Sequence, residues 1–382
     1  MFYIIFEPPV THREQAGVII QDRAGRHVRD AICKVGINEP GELEFTMDID
    51  HPGYNQLAVS AGTVTVREND RTIFRGRIVA DSKGFWRERT FECEGVLGYL
   101  NDAIIPPFTF PDDFLEDREY QEAAASGNVV EYFLRWLIAT ANGQTEYWQQ
   151  LEVGTVTVRD PNNYIFRASS KHMTAMDVLG EKLHRSSLGG YIVPRYDGDV
   201  TYIDYLDELP ESTGQKIEFG RNLLDLISKN DLRERATVIM PVGADGLTIE
   251  SLPDGRVEGN LWKSGATVED EAAVYDYGRI TKVLELDDVT LPANLLIKAA
   301  AYFRTAGLAS TVQVSALDLH MLGGGSFIVG TKVRVKSEPH GIDAAYDLTK
   351  ITYDLNDPAA TKIVLGWQGV TATGSIAAMM KE

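Results

Sequence analysis

One strand pattern occurs twice in this chain, and it limits the possible folds more than any other feature. "GTVTVRE" (Gly62 to Glu68) leads into "FRGRIVADSKGFWRERTFECEG" (Phe74 to Gly95), and far downstream "GTKVRVKS" (Gly330 to Ser337) leads into "LTKITYDLNDPAATKIVLG" (Leu348 to Gly366). Each copy reads as Gly-Thr, an alternating strand, a strand ending in Asp (Asp81 or Asp354), a turn, and a strand ending in Gly (Gly95 or Gly366). Apolar and polar residues that alternate with a period of two mark a half-buried strand. Hairpins reuse few residue types, so short matches also arise by coincidence. The shared order of several elements favours a true repeat, and so two related β units in one chain.

The segments around the repeats set the expected organisation. A chain of 382 residues is long enough for two to four domains. Residues 1–104 read as a first β unit, a small barrel or sandwich, because short alternating runs are separated by "EPG", "HPG", "END" and "SKG" turns. Residues 105–212 read as an α+β insertion. There "NVVEYFLRWLIATAN" predicts an amphipathic helix with Val130, Phe133, Leu134, Leu137 and Ile138 on one face and Asn128 as its cap. Further on, "TAMDVLGEKLHRSSLGG" predicts a second helix, and Asp197-Gly198 a hairpin turn. Residues 213–240 and 308–370 form the expected second β unit. It is interrupted by an insertion at 241–307 with one helix, and residues 371–382 form a tail. The fold class expected is α+β, mainly β.

Charge and composition narrow the functions. Lys and Arg number 37 against 56 Asp and Glu, a formal net charge of −19. Such a surface repels nucleic acid and anionic lipid, which argues against a sequence-reading DNA binder. No apolar run reaches the roughly 18 residues of a membrane span, and "MFYIIFEPP" has no basic start of a signal peptide, so a first strand is the expectation there. Cys33 and Cys93 both lie in strand-like runs and fit reduced, buried thiols of a protein made in a cytoplasm. A disulfide between them is left open.

No catalytic, cofactor or metal constellation emerges. His12, His27, His51, His172, His184, His320 and His340 are scattered without HExxH spacing, and neither cysteine sits in a CxxC pair. "LGGGSFIVG" (Leu322 to Gly330) lacks the Lys-Ser/Thr of a phosphate loop, and "YDGDVTYID" lacks the spaced carboxylates of a calcium loop. The paired aspartates at 112–113 and 287–288 are unremarkable among so many acids.

Five blocks carry a resemblance: "FRGRIVADSKGFWRERTFECEGVLGYLND", "LGGYIVPRYDGDVTYIDYLDEL", "QKIEFGRNLLDL", "YGRITKVLELDDVTLPANLLIKAAAYF" and the second repeat with its preceding "VSALDLHML". In this order, from about residue 60 to 370, they resemble the prophage tail protein family. That family includes the N-terminal hub regions of tail-associated lysins. The resemblance implies two β-barrel tube domains with insertion domains, as in a phage baseplate hub, and a homotrimeric ring. Three chains with two similar units each would offer six units to a six-fold tail tube or distal tail protein, and a three-fold face to a tail fibre or spike. A tape measure protein is a further implied partner. Double-stranded DNA would be met only in non-specific transit through the exit channel, and neither a cofactor nor a membrane anchor is implied. The implied location is the distal end of the phage tail in the virion, after synthesis in the bacterial host cytoplasm.

Relatives often carry a cell-wall hydrolase after the hub region. This chain runs only a short way past Gly366, so the expectation is that the family's endopeptidase label does not extend to these residues. Two other functions stand beside the hub. One is a tail-associated peptidoglycan hydrolase using Cys93 or a His–carboxylate pair. The other is a receptor-binding module using the acidic 245–280 region or the α+β insertion.

Overall fold

The computed structural model describes residues 2–8, 17–22, 27–57, 59, 62–160, 167–186, 188–212, 214–230, 236–287, 289–306, 310–317, 319 and 325–366. His12, His320 and the 371–382 tail lie outside them. The chain opens with seven strands: β1 (Phe2–Glu7), β2 (Val18–Gln21), β3 (Arg29–Gly36), β4 (Glu42–Met47), β5 (Thr63–Glu68), β6 (Arg71–Lys83) and β7 (Arg89–Gly95). Their alternation is that of the sequence. Leu43 and Phe45 of β4 and Phe91 and Cys93 of β7 point into the core, while Glu42, Glu44, Glu92 and Glu94 point out.

An α+β segment follows: β8 (Ile104–Ile105), β9 (Phe108–Phe110), α1 (Arg118–Ser126), α2 (Val129–Asn142), β10 (Glu152–Val156), β11 (Arg167–Ser169), β12 (Met173–Thr174), α3 (Ala175–Leu179), β13 (Tyr191–Asp197) and β14 (Val200–Leu206). The helix expected from "NVVEYFLRWLIATAN" is α2, and the five residues of its predicted stripe are buried. Asn128 precedes it but caps nothing with its side chain. Side-chain caps are formed instead at α1, where the Asp117 carboxylate accepts from the Glu119 N–H, and at α3, where the Thr174 hydroxyl accepts from the Asp177 N–H. The second predicted helix is shorter than its pattern, because α3 gives way to a π-type turn at Gly180–His184. The predicted hairpin is β13–β14, with Asp197 opposite Val200.

The second β unit begins with β15 (Ile217–Glu218) and β16 (Leu223–Asn230). It is interrupted by β17 (Val238–Gly243), β18 (Gly255–Glu258), β19 (Leu261–Ser264), β20 (Thr267–Asp270), α4 (Glu271–Tyr277), β21 (Thr281–Leu286) and α5 (Pro292–Ala306). It resumes with β22 (Ser310–Ala316), β23 (Lys332–Ser337), β24 (Ile342–Asp354) and β25 (Lys362–Leu365). The insertion therefore holds a five-stranded sheet, β18-β19-β20-β17-β21, and two helices where one was expected. β17 starts at Val238 and pairs within that sheet, not with the second β unit.

The two β units are the repeat seen in the sequence. In the first, the strands lie in the order β3-β4-β7-β6-β5-β1; in the second, in the order β16-β22-β25-β24-β23-β15. Matched strands follow one another in the same order along the chain, and β6 and β24 are each 13 residues long. The outermost strands differ, since β1 runs antiparallel to β5 and β15 parallel to β23. Matching β6 to β24 end to end, and Gly95 to Gly366, pairs Asp81 with Thr352 and Lys83 with Asp354. The Asp81–Asp354 likeness is thus two residues out of step with the fold.

Neither unit closes into a barrel among the described residues, which corrects the two-barrel expectation. Instead β24 pairs with β3 and fuses the two units into one 13-stranded sheet. The edge that would have closed a barrel is used to join one unit to the other.

Burial follows this topology. One hydrophobic cluster serves both β units, running from Phe2, Ile4 and Phe45 through Ile351, Ile363 and Leu365. A second, centred on α2, fills the α+β segment, and a third fills the five-stranded insertion. The β13–β14 hairpin touches both units. Arg75 of β6 donates to the Gly198 and Asp199 carbonyls at 2.6 and 2.9 Å, and the Tyr191 hydroxyl meets Asp347 at 2.9 Å.

Candidate functional site

The residues from which a catalytic site would be built are spread out and occupied in other ways. Cys33 and Cys93 both pair with Leu43, one from each side of β4. They are therefore two strand spacings apart, about 10 Å, too far for the Cα–Cα separation of a disulfide. Both are free and buried, and burial pushes both thiols well above the ordinary range. A nucleophilic cysteine needs the opposite shift.

His51 is fixed by the fold: its Nε2 meets the Ile20 carbonyl at 2.8 Å and its Nδ1 accepts from the Gly53 N–H at 3.0 Å. His340 contacts the Ser337 hydroxyl at 2.7 Å within a single turn. Among the described residues no three His, Cys, Asp or Glu side chains group as metal ligands would.

His184 yields a pH prediction. Burial, with a smaller effect from Arg185, holds it down to about 4. The folded protein leaves this ring neutral until about pH 4, whereas the unfolded chain protonates it near 6.5. The stabilisation is therefore present above about pH 6.5 and is lost as pH falls towards 4. Thermal midpoints of His184→Gln should fall less across this window than those of the unaltered protein. Parallel slopes for the two would refute the assignment.

What the fold does assemble is an acidic face. The register of β4 and β7 sets Glu42 opposite Glu94 and Glu44 opposite Glu92, all on the outward side. Like charges directly across a sheet are destabilising, each pair by a few tenths of a kcal/mol to about 1 kcal/mol. Neighbouring cations offset part of this. Lys34 Nζ lies 2.9 Å from Glu42, Arg77 Nη2 lies 3.2 Å from Glu94, and Lys350 Nζ lies 2.7 Å from Glu39. The Lys34 ammonium holds the Glu42 carboxyl below the usual carboxylate range. The two lysines and the five glutamates border a hollow of about 660 Å³ on the sheet surface.

The second assembled feature is a joint and two unused edges. β24 pairs with β23 through Ile342–Asp347 and with β3 through Lys350–Asp354. The turn after β24 completes the joint. Asn356 donates its side-chain amide to the Val28 carbonyl and accepts from the Ala31 N–H, both at 2.8 Å, and the Leu355 N–H donates to the Ala31 carbonyl at 2.8 Å. β6, the counterpart of β24, pairs with β5 only through Arg71–Gly76. On that side Arg77–Lys83 pairs with no strand among the described residues. Among the described residues β16, the counterpart of β3, pairs only with β22. None of this can be read from one strand at a time, so sequence reasoning missed it; the repeat itself was the available signal.

Comparison with known proteins agrees with this architecture. Residues 211–370 match the family described as prophage endopeptidase tail. No curated protein matches the sequence. Among solved structures, the tail protein from Neisseria meningitidis MC58 is similar at 13% identity and a TM-score of 0.58, over 98% of this chain and 99% of that one. The 43 kDa tail protein of prophage MuSo2 from Shewanella oneidensis is similar at 12% identity and a TM-score of 0.56, over 95% and 97%. The prophage tail protein gp18 from Listeria monocytogenes EGD-e is similar at 13% identity and a TM-score of 0.56, over the whole of both chains. At such identities the likeness is one of fold, and it covers the N-terminal unit that the family match does not reach. The prophage endopeptidase tail signature of residues 211–370 thus lies within a fold that this chain shares from end to end with phage tail proteins.

Proposed function

We propose that the chain is the structural hub at the distal end of a phage tail. Three copies form a ring that joins a six-fold tail tube or distal tail protein to a three-fold tip. The observation that carries this reading is the fusion of two topologically matched β units through β24 and β3. A chain that contains one joint between like units, and leaves the two halves of a second joint open, has the geometry of a head-to-tail ring. Six such units make three chains. Each ring would then present six similar surfaces to the tube and three identical ones to a tail fibre or spike.

The acidic face fits the wall of a channel for DNA. Three copies carry three times the −19 charge of one chain, and a wall bearing Glu42, Glu44, Glu92 and Glu94 would repel a passing duplex rather than hold it. The tape measure protein would occupy the same channel before ejection. No residue in this reading acts as a catalyst.

Light scattering over a range of concentrations tests the ring. The expected mass is three times the 42.3 kDa of one chain. A strict monomer that stays monomeric when a distal tail protein is added would overturn the proposal.

A further inference from the structure

We infer that the open half of β6, with the aromatic tip of the β6–β7 hairpin, docks onto β16 of a second copy of this chain. The inference rests on the ring reading and names the surface that closes it. The internal joint supplies the template. There, Lys350–Asp354 of β24 runs antiparallel to Gly36–Ile32 of β3. The match of β6 to β24 and of β16 to β3 carries this pairing over. Val79–Lys83 of one copy would lie along Asn230–Leu226 of the next, with Ser82 opposite Ile227.

Three independent features support the transfer. First, β3 and β16 are each eight residues long, and each has its ladder interrupted near its start, between Arg29 and Ile32 and between Leu223 and Asp225. In the internal joint the interrupted stretch receives the turn after β24. In the second joint the matching stretch holds Leu224, and the matching turn holds Phe85.

Second, the polarity of each turn agrees with its seat. Asn356 meets backbone polar groups at Val28 and Ala31. Phe85 and Trp86, by contrast, are 85% and 81% exposed and stack edge-on against each other at 4.9 Å. On β16, which carries the other open edge, Leu224 and Ile227 are each more than half exposed. Two large aromatic side chains at a hairpin tip and two exposed apolar residues on a strand paired along one edge are both costly in water, and each is what the other would bury.

Third, an unpaired edge strand left open invites pairing with another chain. A pair of edges that differ from each other gives directional joining, and the direction is the same in every copy. Backbone hydrogen bonds would supply the ladder and the side chains its register.

The test uses the full chain carrying Ser82→Cys and Ile227→Cys together, oxidised gently and run without reductant. Native Cys33 and Cys93 are buried and should stay free. The expected product is a covalent trimer. Either single variant alone should remain un-crosslinked, and a mixture of the two singles should give dimers only. Phe85→Ser with Trp86→Ser alters only exposed side chains, and it should raise the concentration needed for trimer formation at least tenfold.

If the unaltered chain is a trimer but the double-cysteine variant fails to crosslink and the serine variant assembles normally, this joint is wrong and the ring closes elsewhere. Crosslinking with unchanged assembly of the serine variant would keep the strand pairing and remove the aromatic seat. Open ladders beyond the trimer would keep the joint and refute the closed ring. A chain that is monomeric at every concentration and does not crosslink would remove both.

Discussion

Replacing Arg167 with alanine should cost about 3–5 kcal/mol, the usual penalty for leaving a buried charge without its partner. Arg167 and Asp160 are both fully buried, with Nη2 and Oδ2 2.9 Å apart. The guanidinium also lies 5.7 Å from the ring centres of Phe110 and Phe133. The loss would fall on the α+β segment, whose core these rings belong to. Native-state hydrogen exchange should therefore show α2 losing protection while β4 and β7 keep theirs. Replacing both residues together, Arg167→Met with Asp160→Leu, should recover most of the stability, because the desolvation cost goes with the charges. A single Arg167→Ala variant as stable as the original would show that the pair contributes nothing.

Ile351→Ala should cost about 2–5 kcal/mol by creating a cavity, and its effect should reach both β units. Ile351 is fully buried, stands opposite Ile363 in β25 and opposite Val35 in β3, and lies in the core cluster that both units share. Amides of β4 and β7 and those of β22 and β25 should lose protection together, with α2 little changed. If only β22 and β25 respond, the two units fold independently and the joint is a contact between finished bodies.

These two substitutions separate what is local from what is not. The stripe of α2 was legible because Val130, Phe133, Leu134, Leu137 and Ile138 repeat at the period of a helix. The alternation of β4 and β7 was legible in the same way. Asn128 looked like a cap and is not one, since capping depends on the backbone angles at the helix entry as well as on residue type. α1 was missed because "REYQEAAAS" buries only Tyr120 and so leaves little apolar pattern to read. The Asp81–Asp354 likeness misled by two residues, because strand register is set by pairing partners rather than by residue identity.

The acidic face shows the boundary between the two kinds of information. Glu42, Glu44, Glu92 and Glu94 alternate with apolar residues in the sequence, but their face-to-face pairing exists only once β4 lies beside β7. By itself the sequence determined the β repeat, the helical stripe, the inward and outward residues of each strand, and the net charge. All of these follow from periods of a few residues and from composition. Only the tertiary structure decided that the units join through β24 and β3, that Arg167 is buried against Asp160, and that among the described residues β6 and β16 each leave an edge without a strand partner. Each of those depends on which distant segments come together, and strand pairing across hundreds of residues is chosen by the packing of the whole core, which no local pattern encodes.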